Sequence, residues 1–190
     1  MAETIPSDDV RDRVLTSARR LFNGRGINVT GVDLLSETAG VSKRSLYQRF
    51  RTKDDLIEAY LAEEMSCVLA DLLPPADAGL PPAERIMALF ATARRQSQID
   101  DYPGCPVLNT AAEIRDPAHP VRVAAVAYKK KMQAHFEAEA RLAGAADPGQ
   151  LAEQLMMLFD GAMTYASVRK EPMPESLLTA VRTLLDAQLP

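Results

Sequence analysis

The chain has no tryptophan, few aromatic residues and only two cysteines in 190 residues. Runs of β-branched residues are scarce, and no segment reads as a confident strand. Cys67 and Cys105 stand 38 positions apart. Such a pair does not suggest a disulfide scaffold, so a reduced cytoplasm is the expected location. No apolar run approaches the roughly 20 residues needed to span a bilayer, so no membrane partner is expected. Met1 to Asp9 has neither a basic start nor an apolar stretch, and no secretory signal is expected there. Proline is nearly missing from the first third: Pro6 is the only one before residue 74. There is no internal repeat and no low-complexity tract. What remains is rich in Ala, Leu, Glu, Arg and Met, which favours helix. The charged fraction of 25% and hydrophobic fraction of 47% suit an ordinary globular protein.

The net charge of −4 argues at first against a nucleic-acid partner. Its distribution does not. Residues 1–60 are close to neutral, and the acidic excess lies after them. Between residues 39 and 53 stand Lys43, Arg44, Arg49, Arg51 and Lys53, with no acidic residue among them. A basic patch on an acidic protein can still hold phosphate.

Apolar spacing and punctuation predict nine helices. The first runs from Asp8 to Phe22, with Val14, Leu15, Ala18, Leu21 and Phe22 on one stripe and Gly24 and Gly26 ending it. Thr30 with Asp33 has the pattern of a capping box for a short second helix, Gly31 to Thr38. Gly40 suits the turn after it. Ser42 can cap a third helix reaching Phe50. Thr52 with Asp55 repeats the capping pattern and opens a long fourth helix, uninterrupted by Gly or Pro up to Leu73. Pro74, Pro75, Gly79, Pro81 and Pro82 mark a hinge. Five further helices are expected over roughly 83–99, 106–115, 119–143, 149–170 and 174–188.

The segment Glu37 to Phe50 carries the functional signal. A short helix, a glycine turn and a second short helix follow one another, the layout of a helix-turn-helix. In the second of these helices Leu46 and Phe50 share the core face. Arg44 and Gln48 point the other way, Lys43 and Tyr47 lie on one flank and Ser45 on the other. A helix that enters the major groove needs an apolar back and a front of hydrogen-bonding side chains. A lone basic amphipathic helix is more often a solvated face. Here the turn, the caps and the missing acids act together.

Over about Arg11 to Leu61 the sequence resembles the TetR family of regulators. Ala39-Gly40-Val41-Ser42, Leu46-Tyr47, Phe50, Lys53 and Leu56 stand where that family's signature places them. The resemblance implies an all-α fold. An N-terminal three-helix helix-turn-helix domain (1–52) would be joined by the long fourth helix to a helical ligand-binding and dimerisation domain (53–190). It implies a homodimer on a palindromic double-stranded DNA operator, released by a small molecule, most often in repression. By the same resemblance Thr30, Tyr47 and Lys53 would touch phosphates, Ser42 would stand at the helix start, and Lys43, Arg44, Ser45 and Gln48 would read or flank bases. Gly31, Ser36 and Arg44 depart from residues common in the family. Arg44 replaces a frequent glycine and adds a long donor. Asp54 and Asp55 would face like charge if they pointed at phosphate, so they are expected to turn sideways.

In the C-terminal half, Leu151, Leu155, Leu158, Ala162 and Tyr165 recur at helical spacing, broadened by Met156, Phe159 and Met163. Leu177, Val181, Leu184 and Leu185 repeat the design. Two such helices can pair with a two-fold mate or be buried within one chain. The resemblance favours a homodimer through the helices near 149–170 and 174–188. Phe90, Tyr102, Tyr128, Met132, Met156, Phe159 and Met163 suit either a mostly apolar ligand pocket or plain core.

Gly104-Cys105-Pro-Val-Leu-Asn109, with Asp116-Pro-Ala-His119-Pro120, resembles a subset of these regulators. Cys105, at a helix start beside the candidate pocket, reads either as a small packed residue or as an electrophile or redox sensor. Cys67 is expected in the core, and His119 is placed to cap a helix. Neither histidine has a partner at ligand spacing, so no metal is expected, and no cofactor either. Nothing pairs a nucleophile with a base, so enzymatic turnover is not expected. An architectural DNA binder without a small ligand is the remaining alternative.

Overall fold

The computed structural model describes residues 7–74 and 79–190. Among these residues there are nine α-helices and no strand. They are α1 (Ser7–Arg25), α2 (Val32–Ala39), α3 (Lys43–Arg49), α4 (Lys53–Leu72), α5 (Pro82–Gln96), α6 (Pro106–Glu113), α7 (Pro120–Leu142), α8 (Pro148–Arg169) and α9 (Ser176–Gln188). Pro75 of the expected hinge lies outside the described residues. No helix of those described is long and apolar enough to cross a membrane.

Contacts gather the chain into two units. One holds Met1–Glu64 and Asn109–Ala125, the other Met65–Leu108 and Val126–Pro190. The chain therefore crosses the division within α4, α6 and α7, and the first unit includes a segment from the C-terminal half.

In the first unit, α1 buries Val14, Leu15, Ala18, Leu21 and Phe22, the stripe its spacing predicts. Leu35 and Ala39 of α2, Leu46 and Phe50 around α3, and Leu56, Ile57, Tyr60 and Leu61 of α4 complete the core. The Tyr60 ring meets Phe22 edge-on at 5.2 Å between centroids, and its hydroxyl donates to Asn23 Oδ1 at 2.7 Å. A buried tyrosine thereby keeps both its apolar contact and its hydrogen bond.

The local signals hold at α3 and α4. Ser42 Oγ accepts the Ser45 N–H at 3.0 Å. Thr52 and Asp55 exchange reciprocal bonds, each at 3.0 Å, which is a complete capping box. The second helix is different. Its N-cap is Gly31, which has no side chain to offer, while the Thr30 hydroxyl donates back to the Gly26 carbonyl at 2.7 Å. The expected Thr30–Asp33 box does not form. Cys67 corrects a second expectation: it is exposed, because Met65 and Leu72 occupy the buried side of α4 at this level.

In the second unit, α5 buries Ile86, Leu89, Phe90 and Ala93, and α7 buries Met132, Phe136 and Ala140. Helix α8 buries a wide face from Leu151 to Ala166, and α9 packs against it and against α5 through Leu177, Val181 and Leu185. The rings of Phe90, Phe136 and Phe159 meet pairwise with centroids 5.7 to 6.2 Å apart. One charged pair enters this interior. Glu139, 8% exposed, takes the Arg85 guanidinium at 2.6 Å and 2.9 Å. Breaking such a pair would strand a desolvated charge.

Candidate nucleic-acid interface

The candidate reading surface is built from a tight turn. Helix α2 ends at Gly40, whose φ of +61° lies in the left-handed region that side chains disfavour. The Gly40 and Val41 N–H groups return to the carbonyls of Glu37 and Ser36, closing the helix end. Arg13 of α1 donates to the Gly40 carbonyl at 3.0 Å and holds the turn from behind. A Cβ on residue 40 would stand 2.5 Å from that guanidinium.

Ser42 then starts α3 in the required direction. Leu46 and Phe50 are buried, and Lys43, Arg44, Tyr47 and Gln48 are exposed, Tyr47 by 48%. Ser45 is half-buried, its hydroxyl 2.9 Å from that of Ser42. The structure thus brings six of the residues expected at DNA onto one short helix and its cap. Lys43 Nζ lies 2.5 Å from Asp33 Oδ1, with both groups largely in water. A pair so exposed is worth well under about 1 kcal/mol and can yield to a phosphate.

Thr30 and Lys53 are placed differently. Thr30 is 0% exposed and its hydroxyl points inward, so the expected side-chain phosphate contact does not fit this arrangement. Lys53 is half-buried and donates to the Ile27 carbonyl at 2.6 Å. Burial holds its ammonium below the ordinary pKa of 10.5, while the carboxylates of Glu113 and Asp54 act in the opposite sense. Both aspartates meet partners within the protein. Asp55 is spent on its capping box, and Asp54 lies 3.4 Å from His119 Nε2. His119 also accepts the Val121 N–H at 3.3 Å, capping α7.

Sequence reasoning missed Arg13 and Glu113. Glu113 accepts the N–H groups of Ile27 and Asn28, 86 and 85 positions away. No local pattern encodes a contact at that separation.

The residues suggested for a ligand lie in the second unit, in two settings. Phe90, Met132, Met156, Phe159, Met163 and Cys105 are buried, and Tyr128 is half-buried. Tyr102 donates to Met163 Sδ at 2.7 Å; burial, with the neighbouring Cys105, pushes its hydroxyl up to about 12. Tyr102 also lines a polar cleft of about 210 Å³ between residues 97–102 and the turn after α8. The other seven are not among the lining residues of that cleft.

Comparison with known proteins gives one consistent answer. Residues 14–60 match the family model for bacterial regulatory proteins of the tetR family. Residues 82–181 match the C-terminal domain described as Tetracyclin repressor-like. A crystal structure of a TetR-type transcriptional regulator from Streptomyces avermitilis is 40% identical and superposes with a TM-score of 0.88, covering 94% of this chain and 97% of that one. A TetR-family regulator from Streptomyces coelicolor gives the same TM-score at 28% identity, covering 95% and 96%. The HTH-type transcriptional repressor KstR2 of Mycolicibacterium smegmatis is 28% identical over 109 residues, 54% of this chain and about half, 53%, of that protein. With its tight turn, its Ser42-capped third helix and both halves matched, the chain belongs to the TetR family of DNA-binding transcriptional regulators.

Proposed function

We propose that the protein is a cytoplasmic repressor that binds a palindromic operator as a homodimer and is released by a small molecule. The observation that carries the reading is α3: Arg44, Tyr47 and Gln48 stand exposed on a helix whose other face, Leu46 and Phe50, is locked in the core. Arg suits guanine, Gln suits adenine, and Tyr47 suits a phosphate. Residues 1–52 would read DNA, and residues 53–190 would hold the ligand and the dimer contact.

The dimer contact is assigned to α8 and α9. Helix α8 buries one face within the chain, and its outer side carries Met157 and Val168, exposed by 67% and 75%, among polar residues, with Leu158 and Tyr165 half-buried between the two. A two-fold mate would cover that side. The relative KstR2 is described as a repressor and the relative FasR as an activator, so repression is taken from the family resemblance rather than from these two. A mostly apolar ligand among Phe90, Tyr102, Cys105, Tyr128, Met132, Met156, Phe159 and Met163 fits the chemistry of those side chains.

The decisive experiment is selection of bound DNA from random sequence with the whole chain, followed by a screen for compounds that release it. A two-fold repeat in the selected DNA is expected. Recovery of asymmetric sites, or of no preferred sequence, would refute the operator reading.

A further inference from the structure

The loop between α1 and α2 is held from outside the helix-turn-helix. Glu113, the last residue of α6, gives its two carboxylate oxygens to the N–H groups of Ile27 and Asn28, at 2.9 Å and 2.7 Å. Its main-chain carbonyl accepts from Asn28 Nδ2 at 3.2 Å. Gly26 makes the approach possible. Its φ is +93°, and a Cβ there would stand 2.9 Å from Glu113 Oε1. Lys53 closes the loop through the Ile27 carbonyl at 2.6 Å. Every polar group of the Ile27 main chain is thereby paired with a charged side chain, and the Ile27 side chain is buried. All these residues lie in the first unit, to which Asn109–Ala125 belongs.

We propose that Glu113 is a positioning residue for DNA binding: it staples the α1–α2 loop so that α2, and through the Gly40 turn α3, is ordered before DNA arrives. The proposal rests on α3 being the reading helix. Two charge-assisted bonds to adjacent main-chain N–H groups are among the stronger restraints one side chain can impose. A loop ordered in advance spares the ordering cost at binding, and the apparent affinity rises with the competent fraction.

The test uses the whole chain and DNA obtained by selection. Three quantities are measured for Glu113→Ala, Glu113→Gln and Glu113→Asp: operator affinity, base preference, and amide hydrogen exchange at Ile27 and Asn28. In Glu113→Ala both amides should exchange faster, and affinity should fall about tenfold or more at full folded fraction, the scale of losing charged hydrogen bonds. Base preference should stay unchanged, since α3 keeps its side chains. Glu113→Gln retains the length and one acceptor oxygen and should recover part of the affinity. Glu113→Asp keeps the charge but is one methylene short, and should not. A residue that only stabilises the fold would lower the unfolding midpoint and leave the affinity of folded protein alone. Wild-type or tighter affinity in folded Glu113→Ala overturns the proposal. If that variant does not fold, wild-type affinity in Glu113→Asp does the same. Failure of the underlying reading of α3 is seen separately, as undiminished base preference in Arg44→Ala.

Discussion

At the scale of single residues, exposure and partnering separate side chains that the sequence groups together. Arg44 and Lys53 belong to one basic run, yet Arg44 is exposed on α3 and Lys53 is spent on a carbonyl. Their substitutions should differ in kind. Arg44→Ala is expected to lose base preference at one operator position and about 1–3 kcal/mol of affinity, read by repeating the DNA selection and titrating the product. Lys53→Ala should leave the slope of log K against log salt unchanged. A lysine that neutralises a phosphate would instead lower that slope by about one, and such a drop would return Lys53 to the DNA surface. His135 offers a test in the second unit. Burial holds its imidazole below the ordinary 6.5, with Glu139 pushing it up and Arg85 pushing it further down. The folded chain therefore resists a proton that the unfolded chain accepts near pH 6.5. Stability from this group is complete above that pH, falls as pH drops through 6.5 towards the lower folded value, and then levels. His135→Gln should flatten that part of the curve of urea midpoint against pH.

At the scale of elements, the helices were legible because their signals are local. Apolar spacing, a cap and a terminating Gly or Pro all lie within a few residues of one another, and the ends of α3, α4 and α8 fall within a residue or two of the places those signals mark. Thr30 shows the limit. Its pattern fits a cap, but its hydroxyl finds the Gly26 carbonyl once the loop folds back. The Gly40 turn is the element most exposed to substitution. Gly40→Ala would force a Cβ into the left-handed region and against Arg13, at a cost of about 1–2 kcal/mol. A lowered unfolding midpoint, with weaker DNA binding at full folded fraction, is expected. An unchanged midpoint would mean that Arg13 simply moves away.

At the scale of the whole molecule, the proposed contact between copies makes the apolar helices of the C-terminal half serve two ends at once. Helix α8 buries one face within the chain and leaves Met157 and Val168 to solvent. Leu158→Glu or Leu184→Glu should place a carboxylate in the proposed contact between copies and yield monomers in sedimentation. A folded, dimeric double variant would move the contact elsewhere. The proposed release by a ligand has its own thermodynamic signature, for operator DNA should then lower ligand affinity by the factor by which ligand lowers DNA affinity. The sequence by itself determined the helical fold, the turn at Gly40 and the division of α3 into a buried face and an exposed basic one, because each depends on residues a few positions apart. Only the tertiary structure decided that Thr30 is turned inward, that Lys53 is held on the Ile27 carbonyl, that Cys67 is exposed, and that Glu113 holds the α1–α2 loop. Those outcomes depend on which distant segment supplies a hydrogen-bond partner or a covering surface, and neither periodicity nor capping carries that information.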